Sequence, residues 1–252
     1  PLKWMPDAGL TGRSDDDYIA DVADAVGPDH VGVMVHPSHA DALSLRDAFV
    51  AGARLARICV PAADPRPGMH LAEVAAALGF VVCVNATRVS ALSIATIRDL
   101  ARASAGSGAS ALYLADSNGS LLPSEVEVLI DTVRASGVLV GIHAHNHLGL
   151  ALANTLAAVQ AGATWVDGAV LGMGKGAGNL ALEQWVARLS RTTSMAERLD
   201  VASLLELSSF LRKSVPEASL PFDETDLLTG MYDLPFEQQA EIRSGRDHRD
   251  RE

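Results

Sequence analysis

Cysteine is nearly missing from the 252 residues: there are only Cys59 and Cys83, both in apolar stretches and without CxxC spacing. That excludes a disulfide framework or a thiolate metal cluster, and leaves buried thiols of the kind kept in a reducing cytoplasm. Basic charge is also short, with 20 Lys and Arg against 31 Asp and Glu, a net charge of −11. A nucleic-acid partner is therefore not expected, because phosphate neutralisation needs clustered cations. No apolar run reaches the roughly 18–20 residues that span a bilayer, so no membrane partner is expected either. The start, Pro1-Leu2-Lys3-Trp4-Met5-Pro6, does not read as a signal peptide, and a cytoplasmic location is expected. Aromatics are only 4% of the chain while alanine is abundant, consistent with many helices packed on a sheet.

What is present is alternation. With 48% hydrophobic residues the chain can build one substantial core, and one α/β domain is the better expectation than two small ones. Apolar, β-branched runs at 30–35, 55–60, 80–85, 111–115, 138–143 and 165–171 read as strands. Between them, 40–51, 70–78, 90–105, 124–136 and 150–161 carry helical spacing, and a first helix is expected to start at Ser14. Continuously apolar strands joined by helices mean a parallel sheet buried on both faces. Polar residues recur at strand C-terminal ends: His36, Asn85, Asp116-Ser117-Asn118 and His143/His145. A barrel gathers every strand end at one site, whereas an open sheet concentrates chemistry at one switch point, so the pattern favours a TIM-type (β/α) barrel. About six βα units are legible where a closed barrel has eight. The expected organisation is a barrel portion over 1–190, a C-terminal helical extension over 191–242 and a disordered tail over 243–252. In the extension, 195–211 reads as a helix and 223–242 as a turn plus a final helix.

The strongest chemical signal is Gly141-Ile142-His143-Ala144-His145-Asn146-His147. Residues i and i+2 of a strand point the same way, about 6–7 Å apart, so His143 and His145 can share one divalent ion whose shell oxygen ligands complete. The bland alternative is two polar residues at a solvated strand end. Asp116-Ser117-Asn118-Gly119 brings a carboxylate and a hydroxyl to the same rim, though it also suits a plain strand-to-helix turn. Gly172-Met173-Gly174-Lys175-Gly176-Ala177-Gly178-Asn179 allows close backbone approach, but no GK[ST] follows, so it is not a P-loop. Asn154 reads as a helix-packing amide.

The stretch from Gly141 to Glu183, GIHAHNHLGLALANTLAAVQAGATWVDGAVLGMGKGAGNLALE, resembles the HMG-CoA-lyase-like (DRE-TIM) metallolyases, most closely their 4-hydroxy-2-oxovalerate aldolase branch. The resemblance runs, more weakly, back through LYLADSNG to about Leu10 and on to about Glu241. It implies a TIM barrel, a divalent Mn²⁺ or Mg²⁺ ion, and cleavage of a small 4-hydroxy-2-oxoacid to pyruvate and an aldehyde. His143 and His145 match the family's metal-binding histidines, and Asn179 the asparagine at or near the metal. Ser117, with its neighbour Asp116, matches the strand end beside the substrate. Tyr232, in Gly230-Met231-Tyr232, matches a tyrosine near the carbonyl chemistry. An oligomer and an aldehyde dehydrogenase partner are implied as well.

Two departures stand out. The family's HAHHN is here HAHNH, so His147, a candidate catalytic group, also reads as a solvated loop histidine. The family's first strand ends in an Arg-Asp pair, the aspartate on the metal and the arginine on the enolate. Here Arg46-Asp47 and Arg98-Asp99 sit inside helical patterns. Three readings stay open: an aldolase whose first two units are absent from this sequence, a divergent lyase using Asp116 or Asp7, and an inactive scaffold that binds a ligand or partner. Two exposed sheet edges would follow from the first, with residues 1–12 or another chain expected to cover them. Lys175 could replace the missing cation, although a solvated loop lysine is the plainer reading.

Overall fold

The computed structural model describes residues 16–61, 63–192, 199–215, 218, 223–235, 238, 239 and 241. In chain order the elements are α1 (Asp16–Val26), β1 (Gly32–Val35), α2 (Ala42–Val50), β2 (Leu55–Val60), α3 (Arg66–Leu78), β3 (Val81–Ala86), α4 (Ile94–Gly106), β4 (Ala111–Asp116), α5 (Pro123–Arg134), β5 (Leu139–Ala144), α6 (Ala151–Gln160), β6 (Trp165–Val166), α7 (Leu182–Thr192), α8 (Val201–Ser214) and α9 (Glu224–Met231). The strands form one sheet in the order β1-β2-β3-β4-β5-β6, and the pairings from β1 to β4 are parallel. Neighbours in sequence are neighbours in the sheet, with no reversal at a switch point. That is the order of a TIM-type (β/α) barrel and not of a doubly wound sheet. Among the described residues six strands are present, and no helix is long and apolar enough to cross a membrane.

Capping sets the helix starts. The α2 helix begins at Ala42 because Asp41 accepts from Ser44 N while Ser44 Oγ accepts from Asp41 N, closing a capping box. The α4 helix begins at Ile94, later than its apolar spacing suggests, because Ser93 takes the Thr96 N–H and a 3₁₀ turn occupies Val89–Ala91. Ser14, residues 1–12, Asp7 and the 243–252 tail lie outside the described residues. So does the start of the 195–211 helix, which is described from Val201, capped by Asp200. Over 223–242, where a turn plus a final helix is expected, the helix α9 starts at once at Glu224, because Asp223 and Asp226 close a second capping box. The β6 strand is shorter than its apolar run. Leu171 takes a left-handed backbone (φ +59°) in a 3₁₀ turn, with its N–H held by the Glu183 carboxylate at 2.9 and 3.1 Å.

The chain divides into two compact units. One comprises Pro1–Thr87, Leu92–Leu114 and Asp131–Gly141. Its β-strands bury Ala56, Ile58, Val60, Val82, Val84, Leu112 and Leu114 essentially completely. In the same unit Arg57 stacks 4.0 Å over the Tyr113 ring and donates to Asn85 Oδ1 at 2.9 Å. Gly141 is required beside that ring, since a Cβ there would lie 2.8 Å from three of its carbons. The other unit comprises Arg88–Ala91, Ala115–Ile130 and Ile142–Glu252. All seven residues singled out from the sequence as site candidates belong to it.

Candidate metal centre

His143 is half-buried near the end of β5, which runs on through the buried Ala144. His145 pairs with Asn179 in an isolated antiparallel bridge. Asn146 N donates to Gly178 O (2.9 Å) and Leu180 N to Ala144 O (3.1 Å). These bonds fasten the glycine-rich loop along the strand end, so residues about 35 positions apart in sequence share one patch. The rings of His143 and His145 lie edge to face, with centroids 5.1 Å apart and planes at 73°.

Each member of the patch has one atom left over. His143 Nδ1 lies 2.9 Å from Asp167 Oδ2, so a neutral ring donates there and keeps its Nε2 lone pair for a ligand. Asp167 follows β6 directly; its Val-Asp signal is in the matched stretch, but only the folded geometry shows that it orients His143. Burial, reinforced by His143 and His147, lowers the His145 pKa to about 3, so the ring is in the neutral form that binds metals. Its Nδ1 is buried with no hydrogen-bond partner. Asn179 spends its Nδ2 on Met173 O (2.7 Å), and its Oδ1 is likewise buried without a partner. Buried polar atoms are nearly always satisfied, so orphans converging on one patch fit an ion as the missing partner. The donor set of imidazole nitrogen and amide oxygen suits Mn²⁺ or Mg²⁺ only with further oxygen ligands. Among the described residues no group of three or more His, Cys, Asp or Glu is placed to hold a metal.

The neighbouring strand end is differently built. Asp116 was expected at the open rim, yet it is fully buried. Its two oxygens accept from Ser120 N (3.0 Å) and Leu121 N (3.2 Å), because the chain turns sharply after β4 and those N–H groups need an acceptor. Burial raises its pKa to about 6 against the pull of those bonds, with Asp233 and Glu125 adding to the rise. Its geometry is that of a turn anchor and not of a spare metal ligand. Ser117 Oγ accepts from Arg88 N at 3.0 Å, fixing the loop after β3. Asn154 is indeed a packing amide, donating to Leu121 O at 2.7 Å.

His147 is 1% exposed, so the solvated-loop reading is corrected. Its ring stacks on His145 (5.8 Å, 27°), and burial holds it below the usual histidine range. Tyr232 is 61% exposed at the end of α9, and among the described residues no bond or ring contact joins it to the histidines. Its neighbour carries the contacts instead. Asp233 Oδ1 accepts from Ser90 Oγ (2.8 Å), Asn118 Nδ2 (2.7 Å) and Ser120 Oγ (2.8 Å). No sequence signal marked Asp233. Lys175 is exposed in the loop. Beside the patch lies a cavity of about 540 Å³, whose lining includes Asn146, Asn179, Glu183 and Arg212 and which is large enough for a small oxoacid.

Several known proteins resemble this chain. A 4-hydroxy-2-oxovalerate aldolase of Carboxydothermus hydrogenoformans is 35% identical over 184 residues, 73% of this chain and 55% of that one. A protein of the same description from Stutzerimonas stutzeri is 30% identical over 256 residues, 96% of this chain and 72% of that one. The chain thus spans between about half and three quarters of these relatives. Among solved structures, the N-terminal domain of a candidate aldolase from Bacteroides vulgatus superposes with a TM-score of 0.78 over 90% of this chain and 76% of that one, at 21% identity, which speaks to fold alone. Residues 8–211 match the HMGL-like family, and the chain belongs to it.

Proposed function

We propose that this chain is a carbon–carbon lyase that cleaves a 4-hydroxy-2-oxoacid to pyruvate and an aldehyde. Its divalent ion, Mn²⁺ or Mg²⁺, would be held by His143, His145 and Asn179. The observation that carries the reading is the unpartnered, buried pair His145 Nδ1 and Asn179 Oδ1 beside a His143 oriented by Asp167. When bound, the ion supplies Lewis-acid polarisation of the 2-oxo group. The chain's own residues do the rest. Asp167 fixes the His143 tautomer, burial keeps His145 neutral, and the Asn146–Gly178 and Leu180–Ala144 bonds hold Asn179 against the strand. Ser117 fixes the loop beside the substrate. Tyr232 is left out of this proposal because its ring is exposed. Self-association and an aldehyde-consuming dehydrogenase partner belong to the proposal through the aldolase resemblance, and size-exclusion chromatography with and without a dehydrogenase checks both.

A second reading, a family-derived scaffold that binds metal and turns over slowly, is favoured by one observation: no carboxylate joins the donor set among the described residues. Loss of one preorganised charge stabiliser costs about 10²–10³ in rate. Steady-state cleavage of 4-hydroxy-2-oxopentanoate with saturating Mn²⁺, with pyruvate followed by a coupled assay, separates the two. Turnover of about 1–10³ s⁻¹ supports the lyase. Mn²⁺ binding with turnover far below that range supports the scaffold.

A further inference from the structure

Three glycines from three separate elements close around His147. Gly119 follows β4, Gly176 lies in the loop after β6, and Gly230 is in α9. A Cβ on Gly119 would lie 2.7 Å from His147 N, one on Gly230 3.0 Å from His147 Cβ, and one on Gly176 would collide with Nε2. Gly119 and Gly176 also need left-handed backbones, φ +57° and +59°. His147 is therefore enclosed by main chain on several sides. On a further side Gln239, 2% exposed, places its Nε2 3.3 Å from His147 Nε2 and 3.0 Å from Thr229 Oγ1. The ring lies nearly parallel to His145 at 5.8 Å.

We propose that His147 is a positioning residue: a wedge, held by Gln239 and the C-terminal segment, whose stacked ring sets the plane of His145 for metal binding. This rests on the metal reading above. A ligating imidazole is useful only if its lone pair points at the ion, and partners behind a ligand commonly govern affinity. His143 has Asp167 for that task. His145 has a main-chain hydrogen bond to Lys175 but no partner at Nδ1, so the stacked ring of His147 is the side-chain restraint on its plane. The wedge also gives the C-terminal extension a task, since Gly230 lies against His147 and Gln239, bonded to Thr229, meets its ring.

The test is Mn²⁺ titration of the full chain, following free Mn²⁺ by electron paramagnetic resonance, with thermal unfolding of the metal-free protein in parallel. His147→Ala should weaken Mn²⁺ binding about 10-fold. His147→Phe keeps a flat ring and should recover most of that affinity, although both variants lose the Gln239 contact and some thermal stability. Gln239→Ala leaves the loop intact and should weaken binding less, in the same direction. Combined with His147→Ala it should add nothing, as expected if it acts through that ring. If His147→Ala and Gln239→Ala fold and bind Mn²⁺ like the unaltered chain, the positioning role is wrong. Equal losses in His147→Ala and His147→Phe would exclude stacking as its means. An unaltered chain that binds no Mn²⁺ would instead sink the metal reading itself. Should His147→Ala not fold, Gln239→Ala decides alone.

Discussion

The two strand ends after β4 and β5 lie in the same compact unit and are built on opposite plans. After β4, Asp116, Ser117, Asn118 and Ser120 each have a partner for the side chain, most of them at 3.0 Å or less. After β5, His145 Nδ1, His147 Nδ1 and, across the bridge, Asn179 Oδ1 are buried and unpaired. Satisfied polar networks rigidify, while orphaned ones cost stability unless something binds. The contrast teaches that chemistry is to be sought where hydrogen bonding is incomplete, and not simply where polar residues gather at a strand end.

The comparison can be broken most decisively at the open end. His143→Ala/His145→Ala should lose Mn²⁺ affinity by about 10²-fold or more while leaving the metal-free fold intact, since ligands and not core contacts are removed. Isothermal titration calorimetry checks it, and unchanged affinity would end the metal assignment. At the closed end the effect should fall on stability. Asp233→Ala removes the acceptor of Ser90, Asn118 and Ser120 and should cost about 3–4 kcal/mol in urea unfolding. A cost under about 1 kcal/mol would mean that water replaces it freely.

The closed end also carries a signed pH prediction. Asp116 has a folded pKa of about 6, above its unfolded value of 3.8, so the folded state binds its proton more tightly. Its contribution is therefore full below about pH 4 and is lost as pH rises through 6, by at most about 3 kcal/mol. Chemical denaturation of the unaltered chain and Asp116→Asn from pH 4 to 7 reads this as a difference between slopes. Parallel curves would show that Asp116 ionises normally. The smallest expected effect sharpens the open end. Asp167→Asn keeps the size and weakens the acceptor for His143, so Mn²⁺ affinity should fall about 10-fold with little change in unfolding.

Much of this was legible before folding. Alternating apolar runs and helical spacings located the six strands to within a few residues, because parallel strands buried on both faces leave so plain a signal. The two-residue period of a strand puts His143 and His145 side by side, and their rings stand 5.1 Å apart. What escaped was long-range or local-backbone in origin. Leu171 reads as strand until the Glu183 carboxylate is seen to hold its N–H in a left-handed turn. Asp116 looks like a rim carboxylate until two backbone N–H groups claim it. His147 looks solvated until Gln239, 92 residues later, covers it.

Asp233 has a consequence for the order of assembly. Its bonds reach back 143 residues to Ser90, 115 to Asn118 and 113 to Ser120. A chain synthesised from its N-terminus must hold those loop side chains solvated until α9 has emerged. Joining such distant residues costs loop-closure entropy that only late contacts repay. The strand ends are thus completed by a segment more than a hundred residues further on. A nascent chain arrested at Ser214 should show the helices of a sheet protein but loops after β3 and β4 open to rapid amide exchange, closing when residues 215–241 are released.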